Sequence, residues 1–241
     1  MLLATFIAFD ILHCVSTRLD PYLDVDHVEA LNSLGLCAES LLGCRSATLI
    51  LIFEVSALDR WKRDAKKTRK LSIVELARRG GVLEERLRRE LAVLDNHLAF
   101  RPAYRSQSQS HRMQAPSEVS KLFTLAAIVY LHVVISGAHP DLPEIVQPVS
   151  EAISVFKNMS DPTLLQNVVW PFCVTGCLAL EEQKDYFREL FAAAEVTESS
   201  KGTCGEAFKI IEQCWWRRKT SSYNCDWALI MEQRDQFVML I

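Results

Sequence analysis

Leu76, Leu83, Leu87, Leu91 and Leu94 follow one another at intervals of 7, 4, 4 and 3, which places them on one stripe of a helix. Ser72 and Glu75 ahead of them have the form of a capping box. Gly80-Gly81 interrupts the stripe and predicts a kink or short break. Similar apolar segments recur along the chain. Leu2 to Val15 predicts a helix ending before the turn at Asp20-Pro21, and Val28 to Leu42 a second, broken at Gly43. Ala47 to Lys66 is apolar in its first half and charged in its second, so one end should be buried and the other exposed.

After a polar, repetitive stretch predicted as a flexible connector near 100–115, the helices resume. One runs from Pro116-Ser117 to Ser136, ended by Gly137 and Pro140, and another from Leu142 to Asn158. Asp161-Pro162 is a start signal for a helix over Thr163 to Leu180, which Pro171 should kink. Glu181 to Ala194 follows. Thr203 and Glu206 form a second capping box, opening a helix with Phe208, Ile211 and Trp215 on one side, and Asp226 caps a last helix through Leu240. The prediction is all-α: an irregular array of about ten helices joined by short loops. The 241 residues form one domain, 1–241, or two parts, 1–99 and 116–241, about the connector.

Composition agrees. Hydrophobic residues make up 49% of the chain, enough for a sizeable core, and only 8 Gly and 8 Pro are present, too few for the turns of an all-β fold. The net charge of −3 is unevenly spread: Arg60 to Arg89 holds 12 Lys/Arg against 4 Asp/Glu. Its basic positions Arg60, Lys62, Arg63, Lys66, Lys67, Arg69 and Lys70 form either a surface for nucleic acid or an acidic partner, or a solvated helix face. The apolar N-terminus lacks the basic flank of a signal peptide, and the longest apolar run, Leu122 to Ile135, is shorter than a bilayer span. The expected setting is soluble, intracellular and reducing, with no membrane.

No hydrolytic His-Glu-x-x-His, phosphate loop, nucleophile elbow or dinucleotide fingerprint occurs, and no acid/base pair stands out. The expectation is a non-enzyme with no cofactor and no resident metal. Cys173 and Cys177 share a helix face without further ligands nearby, and Cys37 and Cys44 lack the Cys-x-x-Cys elements of a zinc cluster, so core packing is expected for both pairs. Trp215-Trp216 with Arg217, Arg218 and Lys219 is either a base-stacking site or one core tryptophan, one edge tryptophan and a basic helix end.

Several stretches resemble the fungal-specific transcription factor domain of zinc binuclear cluster regulators. Val168 to Cys177 (VVWPFCVTGC) resembles the family's Trp-Pro…Gly-Cys helix, followed by Glu182 to Phe187 (EQKDYF). Cys214-Trp215, Asp226-Trp227, Leu42 to Cys44, Glu54 to Trp61 (EVSALDRW) and Asp10 to Leu12 resemble further segments in the right order. The resemblance implies a helical regulatory domain of a nuclear regulator of RNA polymerase II genes, working through protein partners, a homodimer or a small effector. It also implies that zinc and DNA contact belong to a six-cysteine module with no counterpart in these 241 residues. A fragment, a mispredicted gene model and a natural cluster-less regulator all remain open. A kink at Pro171 would open space between helices, so Trp170, Pro171 and Cys173 are the candidate effector pocket, against plain core for Trp170. The rivals are a dimerising scaffold without ligand and a helical enzyme of the terpene-synthase type, whose Asp-Asp-x-x-Asp run is missing.

Overall fold

Leu122 to Val134 is buried at every position, so this stretch must be surrounded by protein on all sides. It belongs to the central helix of a computed structural model that describes residues 2–99, 107–159, 162–194, 202–220 and 225–241. Ten α-helices and no strand occur among these residues: α1 (Leu2–Thr17), α2 (His27–Leu42), α3 (Ser46–Lys67), α4 (Ile73–Ala99), α5 (Gln107–Ser136), α6 (Pro143–Asn158), α7 (Val169–Cys177), α8 (Lys184–Ala193), α9 (Thr203–Thr220) and α10 (Trp227–Arg234). Short 3-10 turns, Pro162–Asn167 and Glu181–Gln183, precede α7 and α8.

α5 packs against α3 and α4 as well as α6 and α7, and one continuous apolar core includes residues from all of them. The segment Ser117–Ser136 is long and apolar enough to cross a bilayer, longer than the run counted in the sequence, but 83% of its apolar window is buried within the fold. α3 behaves as its pattern predicts: Leu49, Ile52, Val55 and Leu58 are buried, whereas Lys66 and Lys67 are exposed.

Local expectations fail at identifiable points. α4 runs unbroken through Gly80-Gly81. Gly80 permits a close approach, since a Cβ there would lie 2.5 Å from Ile135 Cδ1 of α5. A Cβ on Gly81 meets nothing within 4 Å. Gly81→Ala is therefore expected to raise stability by about 0.5–1 kcal/mol, measured by chemical denaturation, because it removes the entropy cost of a mid-helix glycine without a clash.

The kink expected at Pro171 is absent. The backbone breaks earlier, at Val168, and α7 begins at Val169. Pro171 thus lies in the first turn, where its missing N–H has no intrahelical partner to lose. The box expected at Thr203 is replaced by other contacts: Thr203 donates to the Ile241 carbonyl at 2.8 Å, and Glu206 pairs with Lys209 and Arg234. At Ser72 half the box forms, with the Glu75 N–H on Ser72 Oγ at 3.2 Å, while the Glu75 carboxylate turns to Arg78 and Arg79, which hold it down at about 2.

The last helix ends at Arg234, not Leu240, because Asp235 takes the left-handed conformation (φ 50°). The following tail is pinned by the Leu240 N–H on Ser16 Oγ at 3.1 Å. α5 begins at Gln107, inside the stretch read as connector; positions 100–106 of that connector, and the expected cap Asp161, lie outside the described residues.

A buried carboxylate organises the α1–α2 turn. Asp10 accepts from the N–H groups of Tyr22 (2.8 Å) and Leu23 (3.0 Å) and contacts His27 Nε2 at 2.8 Å. Burial works against its ionisation, but these bonds outweigh burial and hold the carboxyl below its ordinary value. A depressed folded-state value gives stability that is complete above the unfolded value, near 4, and is lost as pH falls through the folded one. Asp10→Asn is expected to flatten that acid loss in stability measured from pH 7 down to pH 3; an unchanged acid limb would remove Asp10 from the account.

A candidate regulatory cleft beneath the last helix

Arg18 closes α1 in the left-handed conformation, φ 59°, which is costly for a residue with a side chain. Its guanidinium is the junction of the fold. Nε and Nη2 donate to the two oxygens of Asp59 on α3, both at 2.7 Å, and Nη1 donates to Asp226 at 2.6 Å. Asp226 also caps α10 by accepting the Leu229 N–H at 3.0 Å. Asp59 is only 1% exposed and also accepts from Tyr130 of α5, at 3.2 Å. Arg63 Nε stands 3.8 Å from the same carboxylate. One charged group thereby connects α1, α3, α5 and α10.

The electrostatics follow from this packing. Burial alone would lower the Arg18 affinity for its proton, but the Asp59 bonds and the Asp226 charge raise it instead. Burial, reinforced by the Asp59 charge, holds the Tyr130 phenol well above its ordinary range. The Lys62 ammonium donates to the Val134 carbonyl near the end of α5, and its value is lowered chiefly by burial.

Above this junction opens a cleft of about 500 Å³, within the range of small-molecule sites. Leu19, Val133, Leu229 and Phe237 supply apolar wall, and Phe237 is 46% exposed. Lys62, Arg63 and Glu232 supply charge of both signs. Arg18 and Arg63 face Asp59 and Asp226, Lys62 also feels the Asp59 charge, and among the described residues no ion pair engages Glu232. This combination suits an amphiphilic small molecule with a polar head. Smaller grooves, of about 380 and 350 Å³, run along α3 and α4.

The sequence-chosen residues are divided by the structure. Trp170, Pro171 and Cys173 are buried in the core and line none of these clefts. The Trp170 indole donates to the Val15 carbonyl at 3.2 Å and its ring stacks near Phe123, centroids 5.8 Å apart. Of the basic set, Lys62 and Arg63 line the cleft. Arg60 lies over the Phe53 ring and bonds Ser56 Oγ. Lys66, Lys67, Arg69 and Lys70 are exposed around the end of α3. Trp215 is buried and Trp216 is 63% exposed.

No sequence pattern marks Arg18, Asp59 and Asp226 together as a site. The available signal was an acidic residue between Leu58 and the charged end of α3, at a buried register. Nothing in sequence links it to Arg18.

The cysteines behave as core residues. Burial pushes the thiols of Cys14 and Cys204 up to about 12 and about 11, and those of Cys177 and Cys214 well above the ordinary range. Cys214 and Cys225 are 3.8 Å apart as free thiols. The Cys37 side chain lies outside the described residues. Among the described residues, no group of three metal-ligating side chains is assembled.

Among the described residues the fold is an all-helical array with a charged junction and a cleft of small-molecule size. The chain belongs to the fungal-specific transcription factor domain family, whose model matches residues 1–241. Among curated proteins it is 30% identical over 233 residues to the trichothecene biosynthesis transcription regulator TRI10 of Fusarium sporotrichioides, covering 95% of this chain and 51% of that protein. It is 29% identical over 228 residues to the transcription factor ntnD of a Nectria species, covering 91% of this chain and 37% of the relative. It is 27% identical over 249 residues to the ustiloxin B cluster transcription factor ustR of Aspergillus flavus, covering 96% and 41%. The chain therefore spans about half or less of the length of these relatives. The family and its relatives are transcription factors, not enzymes. No solved structure gives a significant match.

Proposed function

We propose that this chain is the regulatory body of a fungal transcriptional regulator of one biosynthetic pathway, acting in the nucleus through protein partners or a small effector. Support comes from the family match over residues 1–241 together with relatives named for trichothecene biosynthesis and the ustiloxin B cluster. The cleft beneath α10 is the place for the effector. Arg18 and Asp226 line it and Arg18 is bound in turn to Asp59, so occupation there would bear on α1, α3 and α10 together.

The test joins the 241-residue chain to an unrelated DNA-binding domain that carries its own import signal, and reads a reporter gene. The expected result is a reporter level clearly different from that of the DNA-binding domain alone. Equal levels would sink the proposal. Leu229→Trp, which fills the cleft from its wall, should change the reporter while leaving the melting temperature nearly unchanged. An unaltered reporter would exclude the cleft.

A further inference from the structure

The end of α3 carries a feature that the cleft does not use. Lys66, Lys67, Thr68, Arg69 and Lys70 are consecutive and all exposed. Lys67 has a surface contact with Asp64 at 3.8 Å, whereas among the described residues no ion pair or side-chain hydrogen bond engages Lys66, Arg69 or Lys70. The arginines of α4 are different. Arg78 and Arg79 share Glu75, Arg86 binds Glu54, Arg88 binds Glu84 and Arg89 binds Glu85. The basic stretch that sequence shows as one block is thus neutralised along α4 and open at this corner.

The backbone adds an independent observation. The Arg69 N–H bonds the Lys66 carbonyl at 3.1 Å and the Lys70 N–H bonds the Ala65 carbonyl at 2.8 Å, which closes α3 with Arg69 left-handed at φ 56°. This is the position where helices commonly place glycine to avoid the Cβ penalty. Arg18 accepts the same strain while holding two carboxylates; Arg69 accepts it with an exposed side chain. Lys66 and Lys67 form the last turn of α3, and residues 68–72 continue as a non-helical turn before α4.

We propose that Lys66 to Lys70 is a nuclear-import signal, a solvent-facing basic corner at the end of α3 read by the acidic groove of an import receptor. The inference rests on the nuclear role proposed above. Charge complementarity selects the partner: four cations within five residues, with no acidic residue among them, suit a concentrated acidic groove. Duplex DNA fits less well. A major-groove reader presents a helix face with phosphate contacts spread on both sides. Here the preceding basic residues Lys62 and Arg63 turn into the cleft, and the α4 arginines are already paired.

The test fuses the full chain to tandem fluorescent proteins too bulky to diffuse through nuclear pores, and images fungal cells. In parallel, the purified chain is titrated with a purified import receptor that reads basic peptides, and with duplex DNA. The combined variant Lys66→Ala, Lys67→Ala, Arg69→Gly and Lys70→Ala should abolish nuclear accumulation. It should also weaken receptor binding by about tenfold or more, equivalent to about 1.4 kcal/mol. Its melting temperature should not fall, since all four side chains are exposed and glycine suits the left-handed position. Lys66→Arg, Lys67→Arg and Lys70→Arg together should retain import. Wild-type nuclear accumulation by the alanine–glycine variant, loss of import in the arginine variant, or DNA binding without receptor binding would each overturn the proposal. The reporter assay supplies its own import signal, so failure of either idea is seen separately.

Discussion

Asp59→Ala is expected to cost about 3–5 kcal/mol in urea unfolding at pH 7, the range seen when one partner of a buried ion pair is removed. The substitution leaves the Arg18 guanidinium with Asp226 alone and deprives the Tyr130 hydroxyl of its acceptor. It also frees Arg63 from its nearest carboxylate. Most of the loss should come from the stranded cation and not from the bond itself. The double substitution Asp59→Leu with Arg18→Met should therefore recover much of it, because a buried pair replaced by apolar residues of similar size is often close to neutral. Single and double variants that are equally unstable would mean that the junction specifies packing in some other way. A loss under about 1 kcal/mol for Asp59→Ala would mean that water reaches the pair and would weaken the case that the junction couples four helices.

Trp170→Ala should be of comparable size, about 3–5 kcal/mol. The side chain is fully buried, stacks near Phe123 and meets Tyr130 edge-on with centroids 6.4 Å apart. Its loss leaves a cavity and takes the donor from the Val15 carbonyl, next to the end of α1. Denaturant titration of the purified chain measures this. The result also decides between the two sequence readings of Trp170. A tryptophan lining a ligand pocket would lose little stability on truncation in the absence of ligand, whereas a core tryptophan loses several kcal/mol.

Much of the helix inventory was legible in sequence because helical periodicity is a local property. The leucine stripe of α4 is buried as its spacing predicts, with Leu76, Leu87 and Leu94 nearly inaccessible. The apolar half of α3 faces inward, and Asp226 caps α10 as its residue type suggests. The failures come from signals whose meaning depends on position within an element. Proline breaks a helix interior but is harmless in the first turn, and sequence could not place the start of α7 closely enough to tell. The Gly80-Gly81 pair looked like a break, yet one glycine is needed for helix contact and the other is merely tolerated. Ser72 caps as expected, but arginines one turn later compete for Glu75.

By itself, then, the sequence determined the all-helical class, the family resemblance and the presence of a strongly basic stretch, because each is carried by residues close together in the chain. The tertiary structure decided what those charges do. Arg18 meets Asp59 across 41 positions and Asp226 across 208, a junction that no local pattern encodes. The same packing turns Lys62 and Arg63 into the cleft, pairs the arginines of α4 with nearby glutamates and leaves Lys66, Arg69 and Lys70 open to solvent. A run of like charge specifies only that it must be solvated or paired; which of its members find a partner is set by where distant helices end.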